Sequence, residues 1–136
     1  MKRSATAVWS GSGKEGKGHL TTQTGVLKQI PYNYVSRFES GTDTNPEELV
    51  AAAHASCFAM KLSFVLGAAG FTADEIQTDC IINFEDGVIT NSHLVLKAKV
   101  PGITKEKLDE CAKEAQQNCP ISKLLNTNIT MEASLG

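Results

Sequence analysis

The stretch that decides the fold is NPEELVAAAHASCFAMKLSFVLGAAG, residues 45–70. It opens with the strongest helix-start signal in the chain. Asn45 suits a cap, Pro46 fits the first helical position, and Glu48 stands three after the cap to close a capping box. Glu48 then has a structural job and Glu47 has none. The run stays apolar or small on nearly every face as far as Leu66, and Gly67 and Gly70 mark its end. A one-sided surface helix would carry a polar stripe. This one hardly does, so it reads as a long, buried central helix. Cys57 sits in its middle, with His54 and Lys61 three before and four after it, on roughly the same face.

The overlapping stretch Leu49 to Phe71 is long enough to cross a bilayer. Against that stand His54, Ser56, Lys61 and Ser63 within it, and a charge at mid-span costs about 2.5–3.5 kcal/mol. The many alanines suit close helix packing in a soluble core, so no membrane span is expected.

Length and composition bound the rest. At 136 residues the chain reads as a single domain, 1–136, large enough for a real core. Its net charge of −2 and the lack of any Lys/Arg cluster argue against a nucleic-acid footprint. The basic start, MKRSATAVWSGSG, has no apolar segment behind it, so no signal peptide is expected and the default compartment is cytoplasmic. Four cysteines in a cytosolic chain of this size do not suggest a disulfide framework.

In chain order, residues 5–10 (ATAVWS) predict a short strand with Ala5, Ala7 and Trp9 alternating. A glycine-rich loop, 11–18, leads to residues 19–26 (HLTTQTGV), a hairpin partner. Residues 28–34 contain Pro31 and read as irregular or edge, and 35–38 (VSRF) as a third strand carrying Arg37. Residues 40–44 form a loop into the central helix. Beyond it, 76–84 and 88–100 predict two strands joined by a Glu85-Asp86-Gly87 turn. Thr104 caps a helix to about Gln117, with Leu108, Cys111, Ala112 and Ala115 on one face. Asn118-Cys119-Pro120 starts a short helix over 121–125, and residues 128–134 (NITMEAS) close the chain as a strand. The order βββ-α-ββ-α-α-β is an α+β arrangement.

The cysteines divide. Cys80 alternates within a strand and Cys111 lies on an apolar helix face, so both read as small buried hydrophobes. Cys119 stands before Pro120 at a helix start, where unsatisfied N–H groups favour a thiolate. Cys57 is flanked by alanine and serine, which leave room beside the sulfur. Its helix opens with the spare acid Glu47, and the isolated Arg37 lies upstream. A cysteine with an arginine and a glutamate is a low-pKa thiol site by residue type.

Three segments carry a resemblance: GKGHLTTQTGVLKQIPYNYVSRFE, TNPEELVAAAHASCFAMKLSFVLGAAGF, and NCPISKLL with the closing strand. Together they resemble the OsmC/Ohr family of osmotically inducible and organic hydroperoxide resistance proteins, over nearly the whole chain. The PYNYVSRFE and NPEEL forms look closer to the OsmC-like branch, although the Asp86-Gly87 hairpin is short for it. The resemblance implies an OsmC/Ohr-like fold in an intertwined cytoplasmic homodimer with active sites at the subunit interface. It implies a thiol-dependent peroxidase acting on organic hydroperoxides in oxidative or osmotic stress defence. Cys57 would be the peroxidatic cysteine, Cys119 the resolving one, and Arg37 and Glu47 the polar partners of the reacting thiol. No cofactor is implied beyond an external dithiol or lipoyl-type reductant, and no nucleic-acid or membrane partner.

That assignment makes two geometric demands. Glu47 and Cys57 are about ten helical residues apart, roughly 15 Å of rise. Either the helix breaks near its start or a second subunit supplies Glu47, and we favour the dimer. Cys57 and Cys119 must also bring their Cα atoms within about 7 Å to form a disulfide.

Two rival readings remain. His54, Cys57 and Cys119 form a possible metal set, although a closed structural site wants four ligands; His54 reads better as a satisfied core histidine. A non-catalytic, stress-protective or small-ligand-binding protein on the same dimeric scaffold is the other. Phe58, Met60, Phe64 and Ile121 are either core or the lining of a pocket for the organic part of a peroxide.

Overall fold

The central helix runs unbroken over Pro46–Ala68 in a computed structural model that describes residues 1–136. The chain divides into two units, Met1–Leu49 and Val50–Gly136.

In the first unit, β1 (Ala5–Ser10), β2 (Lys17–Thr22) and β3 (Ile30–Tyr32) form an antiparallel sheet in that order. Pro31 pairs with His19 on the edge strand β3, where its missing N–H costs no ladder bond. Gly18 lies under the Trp9 and Tyr32 rings; a Cβ there would come within 2.6 Å of Trp9 and 2.7 Å of Tyr32. Every residue of β1 is exposed.

Residues 35–38 are not a strand. They belong to a short helix, α1 (Tyr34–Phe38), because Asn33 caps it: its Oδ1 accepts the Ser36 N–H at 2.9 Å. The cap is then tied to the loop that follows. Asn33 Nδ2 donates to Asp43 Oδ2 at 2.8 Å, the Asp43 N–H donates to Ser36 Oγ at 3.0 Å, and Asn45 Nδ2 donates to the Ser36 carbonyl at 3.0 Å. This network fixes Arg37 near the start of the next helix, α2 (Pro46–Ala68).

The cap expected at Asn45 is present, its Oδ1 accepting the Glu48 N–H at 2.8 Å. The return half of the capping box is not: the Glu48 carboxylate accepts from the Thr44 hydroxyl instead, at 2.6 Å. At the other end Gly70, at φ +89°, closes a Schellman turn. The Phe71 N–H reaches the Leu66 carbonyl at 2.9 Å and the Gly70 N–H reaches that of Gly67 at 3.1 Å.

The second unit sets α2 against a sheet of order β4-β5-β6. β4 (Glu75–Glu85) and β5 (Val88–Lys99) form a hairpin. Asp86 (φ 50°) and Gly87 (φ 77°) both take the left-handed conformation that a twisted two-residue turn requires. β6 (Asn128–Leu135) pairs with β5 in parallel, so the chain must cross over. It does so through α3 (Lys105–Asn118) and α4 (Pro120–Leu124). The core is made by Phe58, Leu62 and Leu66 of α2, Leu94, Leu96 and Ala98 of β5, and Leu108, Ala112 and Ala115 of α3.

Within one chain α2 is buried along a single stripe: His54, Phe58, Leu62, Val65 and Leu66. Its opposite face is also small and apolar but open, with Met60 66% and Phe64 68% exposed. Of the four residues that could be core or pocket lining, Phe58 is core and Ile121 packs against it. The helix is long and apolar enough to span a membrane by length and composition, but its buried stripe already forms the core of this unit.

Candidate active site

Arg37 and Glu47 meet within the first unit. Arg37 Nε donates to Glu47 Oε1 at 3.0 Å, and Nη2 lies 3.0 Å from the same oxygen. The Glu47 side chain is 13% exposed, and its Oε2 is buried without a hydrogen bond. The guanidinium also lies over the Phe38 ring, 5.2 Å from its centre. An ion pair this open on its arginine side is worth about 0.2–1 kcal/mol. That is too little to hold the fold, so its consequence is orientation of the guanidinium.

Beside this pair is a cleft of about 580 Å³ lined by Trp9, Lys14, Tyr32, Tyr34, Arg37 and Phe38. Its rings are paired, Trp9 with Tyr32 at 5.4 Å and Tyr34 with Phe38 at 4.9 Å between centres. A space of that size, aromatic with cations at its edge, suits a small organic molecule.

Cys57 and Cys119 meet within the second unit. Both are free thiols, Cys57 half-buried and Cys119 buried. The Cys57 sulfur lies beside the Cys119 thiol and faces the backbone N–H of Ile121. Cys119 is the cap residue of α4, as expected, but its side chain makes no capping bond. A first-turn N–H of that helix, that of Ile121, favours a thiolate at Cys57. The four predicted site residues are thus brought together as two pairs, one in each unit.

Burial pushes the Cys57 thiol above its ordinary range. The neighbouring Cys119 thiol adds to the rise, while the Ile121 N–H and the Lys61 ammonium oppose it. The net direction is upward, and Val50–Gly136 holds no guanidinium to reverse it, because Arg3 and Arg37 are the chain's only arginines. Burial likewise raises Cys80 and Cys111. Cys111 is 3% exposed in the core, and Cys80 is tied to Ser92 Oγ at 3.2 Å.

His54 is fully buried with both ring nitrogens engaged. Nδ1 lies 2.6 Å from Ser92 Oγ and Nε2 lies 2.8 Å from Ser122 Oγ. Burial lowers its pKa, so the ring is neutral. With no lone pair to spare it is a poor metal ligand, and the set His54, Cys57 and Cys119 fails on that ground. Ser92 and Ser122 escaped the sequence reading. A signal existed for Ser92, which takes an inward position in the alternation Ser92, Leu94, Leu96, Ala98 where an apolar residue is expected.

Residues 39–134 match the family model described as OsmC-like protein. The chain is 41% identical to peroxiredoxin OsmC of Escherichia coli (strain K12), over 99% of this chain and 97% of that protein. It is 30% identical to the organic hydroperoxide resistance protein OhrB of Bacillus subtilis (strain 168), over 87% and 88% of the two chains. The crystal structure of B. subtilis OhrB superposes with a TM-score of 0.67 at 27% identity, covering 98% of each chain.

Proposed function

The chain belongs to the OsmC-like protein family, and on that footing we propose that it is a thiol-dependent peroxidase reducing organic hydroperoxides. The observation that carries this reading is the nearness of the Cys57 and Cys119 thiols, one on α2 and the other at the cap of α4.

In the proposed reaction the Cys57 thiolate attacks the outer peroxide oxygen. The O–O bond breaks, the alcohol leaves with a proton, and Cys57 becomes a sulfenic acid. The Cys119 sulfur then attacks the Cys57 sulfur, the hydroxyl leaves as water with the thiol proton, and a disulfide forms. An external dithiol of the lipoyl type takes the oxidation by exchange and returns both thiols. The electrons come from that dithiol, with no metal or organic cofactor.

Burial works against the thiolate, so the mechanism needs a permanent cation, and Arg37 supplies it. The same guanidinium stabilises charge on the oxygen that leaves. Glu47 aims it and offsets its charge. The aromatic cleft beside Arg37 takes the organic part of the hydroperoxide. A homodimer is the assembly this favours. The helix does not break between Glu47 and Cys57, which supports a partner's Arg37–Glu47 pair serving each Cys57. The open apolar face of α2 and the uncovered β1 are surfaces a second copy would bury. We place the dimer in the cytoplasm, in peroxide stress defence.

The test is consumption of an alkyl hydroperoxide with a dithiol, comparing wild type and Cys57→Ser. Loss of turnover in the variant is expected; equal rates would leave a non-catalytic protein.

A further inference from the structure

His54 is a buried, neutral, doubly hydrogen-bonded imidazole that the proposed chemistry does not use. It stands three residues before Cys57 on α2, about one helical turn away. Its partner Ser122 stands three residues after Cys119, on the turn Cys119 opens. The two helices therefore touch through two rungs, Cys57 with Cys119 and His54 with Ser122, one turn apart on each. Fixing one rung sets the other.

The sequence around α4 explains why a tie is needed. α4 has only five residues, too few to be held by its own hydrogen bonds. The Ser122–His54 bond joins it to the long central helix, and on the far side the ring is anchored to β5 through Ser92. Cys80 extends the chain, its sulfur 3.2 Å from Ser92 Oγ. A buried polar row of this kind is costly unless every member is satisfied. An apolar residue at position 54 would fill the same space without that demand.

We propose that His54 is a positioning residue for disulfide formation: through Ser122 it holds the turn that carries Cys119 and the Ile121 N–H against the Cys57 sulfur. Ser122 is the second half of the device, and Ser92 keeps the ring aimed. The inference rests on the Cys57–Cys119 pairing proposed above, but not on its reaction with peroxide.

A test without peroxide is therefore available. The protein is equilibrated in buffers of reduced and oxidised glutathione. Two protein thiols and one glutathione disulfide give the Cys57–Cys119 disulfide and two glutathione thiols, and peptide mapping reads the extent. Ser122→Ala and His54→Leu should each lower the equilibrium constant on the order of tenfold, because the turn carrying Cys119 is no longer held beside Cys57 in the reduced protein and the effective concentration of its thiol falls. The double variant should fall no further, because both act on one bond. His54→Gln, which can still reach Ser122, should stay near wild type. Disulfide formation by Ser122→Ala at the wild-type constant would overturn the proposal, as would additive effects in the double variant. Absence of any Cys57–Cys119 disulfide in wild type would overturn it together with the pairing. Failure to consume peroxide by a protein that forms the disulfide would sink the peroxidase reading alone.

Discussion

The backbone N–H of Ile121 faces the sulfur of Cys57, although the helix that carries it is capped by Cys119. The donor that a helix start offers is thereby given to the cysteine on the other helix. It opposes burial at Cys57 without overcoming it, and in the proposed mechanism the remaining work falls to a cation.

Removing that cation should move the pH dependence of Cys57. Burial places the thiol above its ordinary range, and in the proposed dimer the partner's Arg37 guanidinium would lower it. With Arg37→Met the rate of Cys57 alkylation should follow a titration displaced to higher pH. At any pH below the pKa, a tenfold weaker acid holds about tenfold less thiolate, and alkylation slows in proportion. Arg37→Lys should recover only part of the loss, since an ammonium lacks the planar fork. An Arg37→Met profile that overlays wild type would remove Arg37 from the site.

The two cysteines should separate the two half-reactions. Without reductant, Cys119→Ser should consume about one equivalent of hydroperoxide per chain and stop at a sulfenic acid that a 1,3-dione traps. Cys57→Ser should consume none. Mass spectrometry of intact chains reads both. A dione adduct on Cys119 in wild type would reverse the roles.

Assembly and activity should fail together. Phe64 is 68% exposed on the open face of α2. Phe64→Asp should shift the mass seen by sedimentation from dimer to monomer and reduce peroxide turnover at least tenfold. A fully active monomer would contradict shared sites.

Stability should fall on the acid side because of His54. Burial lowers its pKa from 6.5, so the unfolded chain takes up the proton first as pH drops. The contribution is fully present above pH 6.5. It is lost as pH falls through the depressed value, by at most about 1.4 kcal/mol per pH unit. The groups facing the ring are Ser92, Ser122 and the Cys80 thiol, none of which compensates a charge. Denaturant unfolding between about pH 7.5 and pH 5 should show the loss in wild type and a flatter response in His54→Gln. Equal slopes would assign the acid loss to other groups.

The core should respond as a closely filled one. Leu62 is fully buried between α2 and the sheet. Leu62→Ala should cost about 2–5 kcal/mol in unfolding free energy. A loss under about 1 kcal/mol would mean that the site collapses around the cavity.

Local signals carried much of this far. Asn45 announced the central helix, Asp86-Gly87 the hairpin, and the spacing of Leu108, Cys111, Ala112 and Ala115 the buried face of α3, because each is decided within one turn of chain. Residues 35–38 misled for the converse reason. Val35 and Phe38 look strand-like in a four-residue window, and the deciding bond comes from Asn33 just outside it. Glu48 found Thr44 rather than the backbone of Asn45, a choice between two nearby donors that spacing does not rank. The His54–Ser92–Ser122 row could not be read, since its members come from three distant elements. The meeting of Cys57 with Cys119 followed only from resemblance, and its geometry only from the fold.

The two thiols are already neighbours while both are reduced. Bonding them would shift α2 and α4 little, so the exterior would look much the same in either redox state. Another molecule inspecting that exterior would find almost nothing to distinguish a spent copy from a fresh one. That suits a scavenger, which only has to destroy oxidant, far better than a messenger, which has to announce it.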